Sequence, residues 1–166
     1  NVLIGGADTT VRWMGNAIVN IHRHPAALVE LRAGPALLPQ ALEEVMRLDG
    51  VTRFAIRTVR AEGVVLAGQP LAQGDTVYAL TSLANRDPAA FDDPKHFDIH
   101  RKARPHLGFS HGLHQCIGMN LARVEAQAML GRLLAPGAPA LAIVEVDYGD
   151  VSVVKGPQRL LLRIAV

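Results

Sequence analysis

Phe109-Ser110-His111-Gly112-Leu113-His114-Gln115-Cys116-Ile117-Gly118 holds the only cysteine of the chain and decides how the rest is read. A helical run follows directly, so Cys116 sits near a helix N-terminus. The dipole and free backbone N–H groups there favour thiolate over thiol. Gly112 can adopt a positive φ, and Gly118 lets the backbone approach a neighbour closely. Taken alone, the residues leave three readings of Cys116 open. It is a buried core cysteine, a zinc ligand with His106, His111 and His114, in a spacing that matches no common zinc pattern, or an axial thiolate to haem iron.

Working outward, the chain has 166 residues, of which 49% are hydrophobic and 19% charged. That is one domain's worth, able to bury a core, and it excludes disorder as the main reading. A formal charge of +2 gives no footing for nucleic acid. No apolar run approaches the roughly 18 residues that span a bilayer. A single cysteine excludes an internal disulfide framework and fits a reducing compartment. No leader pattern opens the chain. It starts at Asn1 inside a helical pattern, which predicts a chain that begins mid-element, as a fragment of something longer.

Apolar spacing from Leu3 to Ile21 predicts a first helix, weakened by Gly5-Gly6 and Gly15 and closed by His22-Arg23-His24-Pro25. Pro25 opens a second helix through Leu31, and a third covers roughly 38–48. The period then changes. Residues 52–59, 64–66 and 76–80 read as strands, with Gly68-Gln69-Pro70 and Gly74-Asp75 as turns. Residues 85–105 are polar and Pro-rich without a period, and read as a long surface loop. A helix is predicted over 117–134, and the tail from Ala140 reads as two or three strands.

Phe-x-x-Gly-x-x-x-Cys-x-Gly, matched at every fixed position from Phe109 to Gly118, resembles the haem-binding signature of the cytochrome P-450 monooxygenases, of the soluble bacterial type. The resemblance implies a mixed α/β, mainly α-helical fold with small antiparallel sheets, the C-terminal portion of one P-450 domain over residues 1–166. It makes Cys116 the axial ligand to the iron of haem b, Phe109 the ring beside the sulfur, His114 a donor to a haem propionate, and Gly112 and Gly118 parts of the loop. Other motifs agree in order. Glu44-Val45-Met46-Arg47 puts an acid and a base on one helix face. A solvated pair is the plain reading of it; the resemblance makes Glu44 and Arg47 structural, joined by His96. Gly5-Gly6-Ala7-Asp8-Thr9-Thr10 reads by itself as a helix start capped by Asp8. The resemblance instead makes Gly5-Gly6 a local opening above the haem, Thr9 the hydroxyl that serves oxygen activation, and Asp8 the acid that relays protons. It makes Arg53 a haem-propionate partner, with Arg57 as the fallback, and it places Thr10, Val153 and Val154 beside the substrate.

The function so implied is insertion of one oxygen atom of O₂ into a small organic substrate. Electrons come ultimately from NAD(P)H through a ferredoxin or flavodoxin-type partner. Arg101, Lys102, Arg104 and Arg123 would offer that acidic partner a basic face. The expected location is cytoplasmic. Alternatives are a peroxide-driven peroxygenase or a truncated, haem-free product. As supplied, the chain is expected to be inactive, with Leu3, Ile4, Trp13 and Ile18 partly exposed.

Overall fold

The computed structural model describes residues 2–102, 104–150 and 153–165. Asn1, on which the expectation of a mid-element start rests, lies outside the described residues, as do the side chains of Leu3 and Ile4. Helix α1 (Val2–Arg23) runs unbroken through Gly5-Gly6. Pro25 sits in the first turn of α2 (Pro25–Ala33), where its missing N–H costs nothing. A 3₁₀ turn, Pro35–Leu37, leads into α3 (Leu38–Asp49). Leu38, Ala41, Leu42 and Val45 repeat at helical spacing and form the buried stripe of α3.

Among the described residues, six short strands form three antiparallel pairs. Strand β1 (Ala55–Thr58) pairs with β4 (Thr76–Ala79), and β2 (Val64–Leu66) pairs with β3 (Gln69–Leu71). The sequence reading treats Gly68-Gln69-Pro70 as a turn, but the turn is Ala67-Gly68. Both residues have positive φ, 49° and 81°, as a two-residue hairpin turn requires. Gln69 and Pro70 already belong to β3, where an edge position tolerates proline's missing N–H. A short helix, α4 (Thr81–Ala84), follows β4 and is absent from the sequence reading. Helix α5 (Met119–Leu133) leads to β5 (Leu141–Asp147) and β6 (Arg159–Ile164).

Helices α1, α3 and α5 pack around Trp13, Ala17, Ile21, Leu42, Val45 and Leu130. Trp13 and Ile18, expected to be partly exposed, are 1% and 7% exposed. Trp13 is covered by the Phe109 ring, which meets it edge-on at 5.5 Å. The described residues of 85–105 contain no regular element, as expected, yet this is not merely a surface loop. Phe91, Phe97 and Ile99 drop singly into the interior. No period announces them, because each is delivered by an irregular backbone. None of the described helices is long and apolar enough to cross a membrane.

Candidate functional site

The cysteine loop is built from two 3₁₀ turns, Leu107–Phe109 and Gly112–His114. The Cys116 amide donates to the Phe109 carbonyl at 2.9 Å and closes the loop. Gly112 supplies a left-handed turn (φ 66°), with nothing within 4 Å of where a Cβ would stand. Ser110 adopts φ 61°, ψ −167°, a region otherwise left to glycine. Cys116 is exposed, which corrects the core-cysteine reading: the loop turns its sulfur outward. A protein-only metal cage is not supported either. Among the described residues, no group of three His, Cys, Asp or Glu could hold an ion. His106 is occupied: its Nδ1 accepts from the Gly108 amide at 3.1 Å, and its Nε2 lies 3.2 Å from Glu43.

Leu113 and Ile117, three residues before and one after Cys116, are fully exposed. One exposed thiol on a loop that also bares two aliphatic chains would suit an apolar cofactor that brings most of its own metal donors and takes one sulfur ligand from the protein. The residues present therefore suit a haem. His114 is exposed on the same loop, and Gly118 caps α5 with its virtual Cβ 3.9 Å from the Cys116 sulfur.

Beneath the loop, Phe109 is buried between Trp13 of α1 and the Arg123 guanidinium of α5, which lies 4.7 Å from the ring centre. Arg123 binds Glu43 of α3 through two hydrogen bonds of 2.8 Å. Burial pushes the Glu43 carboxyl up, but the bonds and charges of Arg123 and His106 outweigh it and hold the group at about 2.

On α1, Asp8 is not a cap, because the helix begins upstream. Its carboxylate receives Arg12 Nε at 2.9 Å, one turn along. The Thr9 hydroxyl donates to the Gly5 carbonyl. Gly5 and Gly6 have open space where a Cβ would sit. Thr10 is buried. Trp13, one turn beyond Thr9, carries this segment to Phe109 and so to the cysteine loop.

Glu44 and Arg47 are 4% and 2% exposed and joined by paired bonds of 2.7 and 2.8 Å. They are not a solvated pair. The third member is not His96, and the expectation is corrected. His96 is exposed and contributes only its backbone carbonyl, to Arg47 at 3.3 Å and to Arg101 at 3.0 Å. Arg101 fills the place, its Nε 3.0 and 3.1 Å from the two Glu44 oxygens. The physical reason is satisfaction: a buried carboxylate carries more acceptor sites than Arg47 fills, and a second guanidinium reaches in through the irregular loop. Only its place in a polar run pointed to Arg101. Arg12 carried a clearer cue, its four-residue spacing from Asp8.

Arg53 is exposed, and its backbone amide donates to the Val153 carbonyl at 3.2 Å. Arg57 is exposed and donates to its neighbour's carbonyl, Ile56, at 2.8 Å. Val153 is 42% exposed, while Val154 is half-buried and bridges to Thr52. The Arg53 backbone and this tail segment are thus brought together.

The chain is similar to known proteins along most of its length. A family model described as Cytochrome P450 matches residues 35–135. The biotin biosynthesis cytochrome P450 of Bacillus subtilis is 39% identical over 145 residues, covering 87% of this chain and 36% of that protein. The 20-oxo-5-O-mycaminosyltylactone 23-monooxygenase of Streptomyces fradiae is 38% identical over 133 residues, covering 80% and 31%. The crystal structure of CYP109E1 from Bacillus megaterium in complex with testosterone superposes with a TM-score of 0.93 at 34% identity, covering 99% of this chain and 46% of that one. The chain spans about a third of the length of the curated relatives it matches.

Proposed function

The chain belongs to the cytochrome P450 family, and from that premise we propose that the protein carrying it is a haem-dependent monooxygenase acting on a small organic substrate. The observation that carries this reading is the exposed Cys116 thiol on a loop that also bares Leu113 and Ile117. A relative bearing the name of a monooxygenase supports it. When bound, the haem supplies an iron centre at which O₂ is activated with two electrons from outside, one oxygen atom entering the substrate and the other leaving as water.

This chain's own residues do the rest. Cys116 would hold the metal through its sulfur, and the bare Leu113 and Ile117 of the same loop would help exclude water there. His114 and Arg53, both exposed, would pair with the acidic groups of the cofactor. The single Thr9 proton is committed to the Gly5 carbonyl, so its oxygen lone pairs are left to accept a hydrogen bond and orient a proton donor. Asp8 is half-exposed and tethered to Arg12, placed to pass protons in from solvent. Glu44, Arg47 and Arg101 brace the scaffold and take no part in the chemistry. Val153 and Val154 face the substrate; Thr10, expected beside it, is buried within the chain and does not.

Electrons reach the site from NAD(P)H through a ferredoxin or flavodoxin-type protein in the cytoplasm. Lys102 and Arg104 are exposed and would steer an acidic donor, although Arg104 also lies 3.7 Å from Asp92; Arg101 and Arg123 are spent on Glu44 and Glu43. This chain alone, about a third of its relatives' length, would not be an active monooxygenase.

The deciding test is the carbonyl spectrum of the reduced protein at its full length. Cys116→His is expected to abolish the red-shifted band of a thiolate-ligated haem; survival of that band would assign the iron to another residue.

A further inference from the structure

The tail residues Val153 to Pro157 belong to neither β5 nor β6, yet they are held from several directions. The Lys155 amide donates to the Val51 carbonyl at 2.7 Å. Its ammonium is ion-paired with the Asp49 carboxylate at the end of α3. Asp49 also accepts Asn20 Nδ2 from α1 at 2.9 Å and Arg86 from the loop after α4 at 3.3 Å. Burial pushes Asp49 up, but these partners prevail and hold its carboxyl below the usual value. Asn16 of α1 is fully buried. Its amide nitrogen donates to the carbonyls of both Asp49, at 2.9 Å, and Lys155, at 3.3 Å.

The next residues meet α1 directly. Arg12, whose Nε holds Asp8, donates through Nη1 to the Gly156 carbonyl at 3.1 Å. Contact at Gly156 is so close that a Cβ there would stand 2.4 Å from the Arg12 Cβ. At Gly15 a Cβ would meet the Pro157 ring at 3.2 Å. The helix and the tail are shaped to each other, with glycine on both sides of the contact.

We infer that Asp49, Lys155 and Arg12 form a latch that fixes the tail segment against α1, acting as positioning residues for the substrate-facing Val153 and Val154. This rests on the monooxygenase reading for its consequence, though not for its geometry. Arg12 gives the latch its reach: one guanidinium holds the Asp8 carboxylate and the tail backbone together, so the proton-relaying acid and the substrate-facing segment share an anchor.

The test uses the protein at full length. Lys155→Met keeps the aliphatic stem and removes the charge. The amides of Lys155 and Arg53, which bond Val51 and Val153, should then exchange about tenfold faster, while those of β5 and β6 stay unchanged. KM should rise with kcat little altered, the ratio of oxidised products should shift, and Lys155→Arg should restore both. Arg12→Leu should release the same amides from the helix side, and it decides the matter should Lys155→Met not fold. Unchanged exchange and products in these variants, or acceleration spread evenly through β5 and β6, would overturn the latch. Absence of a thiolate carbonyl band in the unsubstituted protein would overturn the monooxygenase reading instead, and the exchange measurement would still judge the latch.

Discussion

Helix α3 and the cysteine loop treat their polar groups in opposite ways. On α3, Glu44 and Arg47 are almost fully buried and every hydrogen-bonding direction is answered, by each other, by Arg101 and by the carbonyls of Asn85, Pro94 and His96. In the loop, Cys116, His111 and His114 are exposed, Leu113 and Ile117 are bare, and Ser110 sits in a glycine conformation. The difference separates scaffold from chemistry. A buried charge without partners costs several kcal/mol, so a scaffold network has to be closed. A thiol that is to bind a metal must stay open. Phe109 joins the two regions, its backbone closing the loop and its ring lying under Arg123, which is itself anchored to α3 through Glu43.

The contrast can be broken where it is strongest. Arg47→Ala leaves Glu44 buried and short of a partner, and should cost about 3–5 kcal/mol in urea unfolding. Cys116→Ser should cost less than about 0.5 kcal/mol in the same measurement, as an exposed position does. A loss under about 1 kcal/mol for Arg47→Ala would show that the α3 network is not the closed scaffold described.

A pair of substitutions sharpens the assignment of the third member. Arg101→Ala should cost about 1–3 kcal/mol, because it strips hydrogen bonds from a buried carboxylate. His96→Ala should stay within about 0.5 kcal/mol, since only the His96 carbonyl takes part. Comparable losses at both positions would return His96 to the network.

The loop should respond with the opposite sign. Ser110→Gly relieves a strained backbone worth about 1–3 kcal/mol and gives up about 0.5–1 kcal/mol to the freer unfolded chain. A gain of about 1 kcal/mol in thermal unfolding is expected, and a loss would mean that the serine side chain supports the loop.

The smallest effect is a pH dependence at the joint between the two regions. Glu43 titrates at about 2 in the fold against an ordinary 4.5. Its contribution is therefore complete above the unfolded value and lost as pH falls through the folded one. Because Glu43 is about a third exposed, the loss should stay within about 1 kcal/mol. Comparing urea midpoints of Glu43→Gln and the unsubstituted chain from neutral pH downward checks it: the gap should close as the medium becomes more acid. A constant gap would place the stabilisation in packing rather than in charge.

The sequence alone determined what depends on neighbours a few residues apart. The extents of α1, α3 and α5 follow from 3.6-residue periodicity and Pro punctuation, the strands other than β3 from the change of period, and the Glu44–Arg47 pair from its helical spacing. The ten-residue signature singled out Cys116 because spacing in a short loop is itself local geometry. Only the tertiary structure decided which distant groups meet. Arg101 rather than His96 completes the Glu44 network, Phe91, Phe97 and Ile99 enter the core from an unpatterned segment, and Lys155 reaches Asp49 while Arg12 reaches Gly156. The reason is physical: a repeating backbone stamps its period on the side chains it buries, whereas an irregular one leaves no period to read. Partners brought together by a loop's path are chosen by the need to satisfy buried charge and fill space, and those demands exist only once the chain has folded.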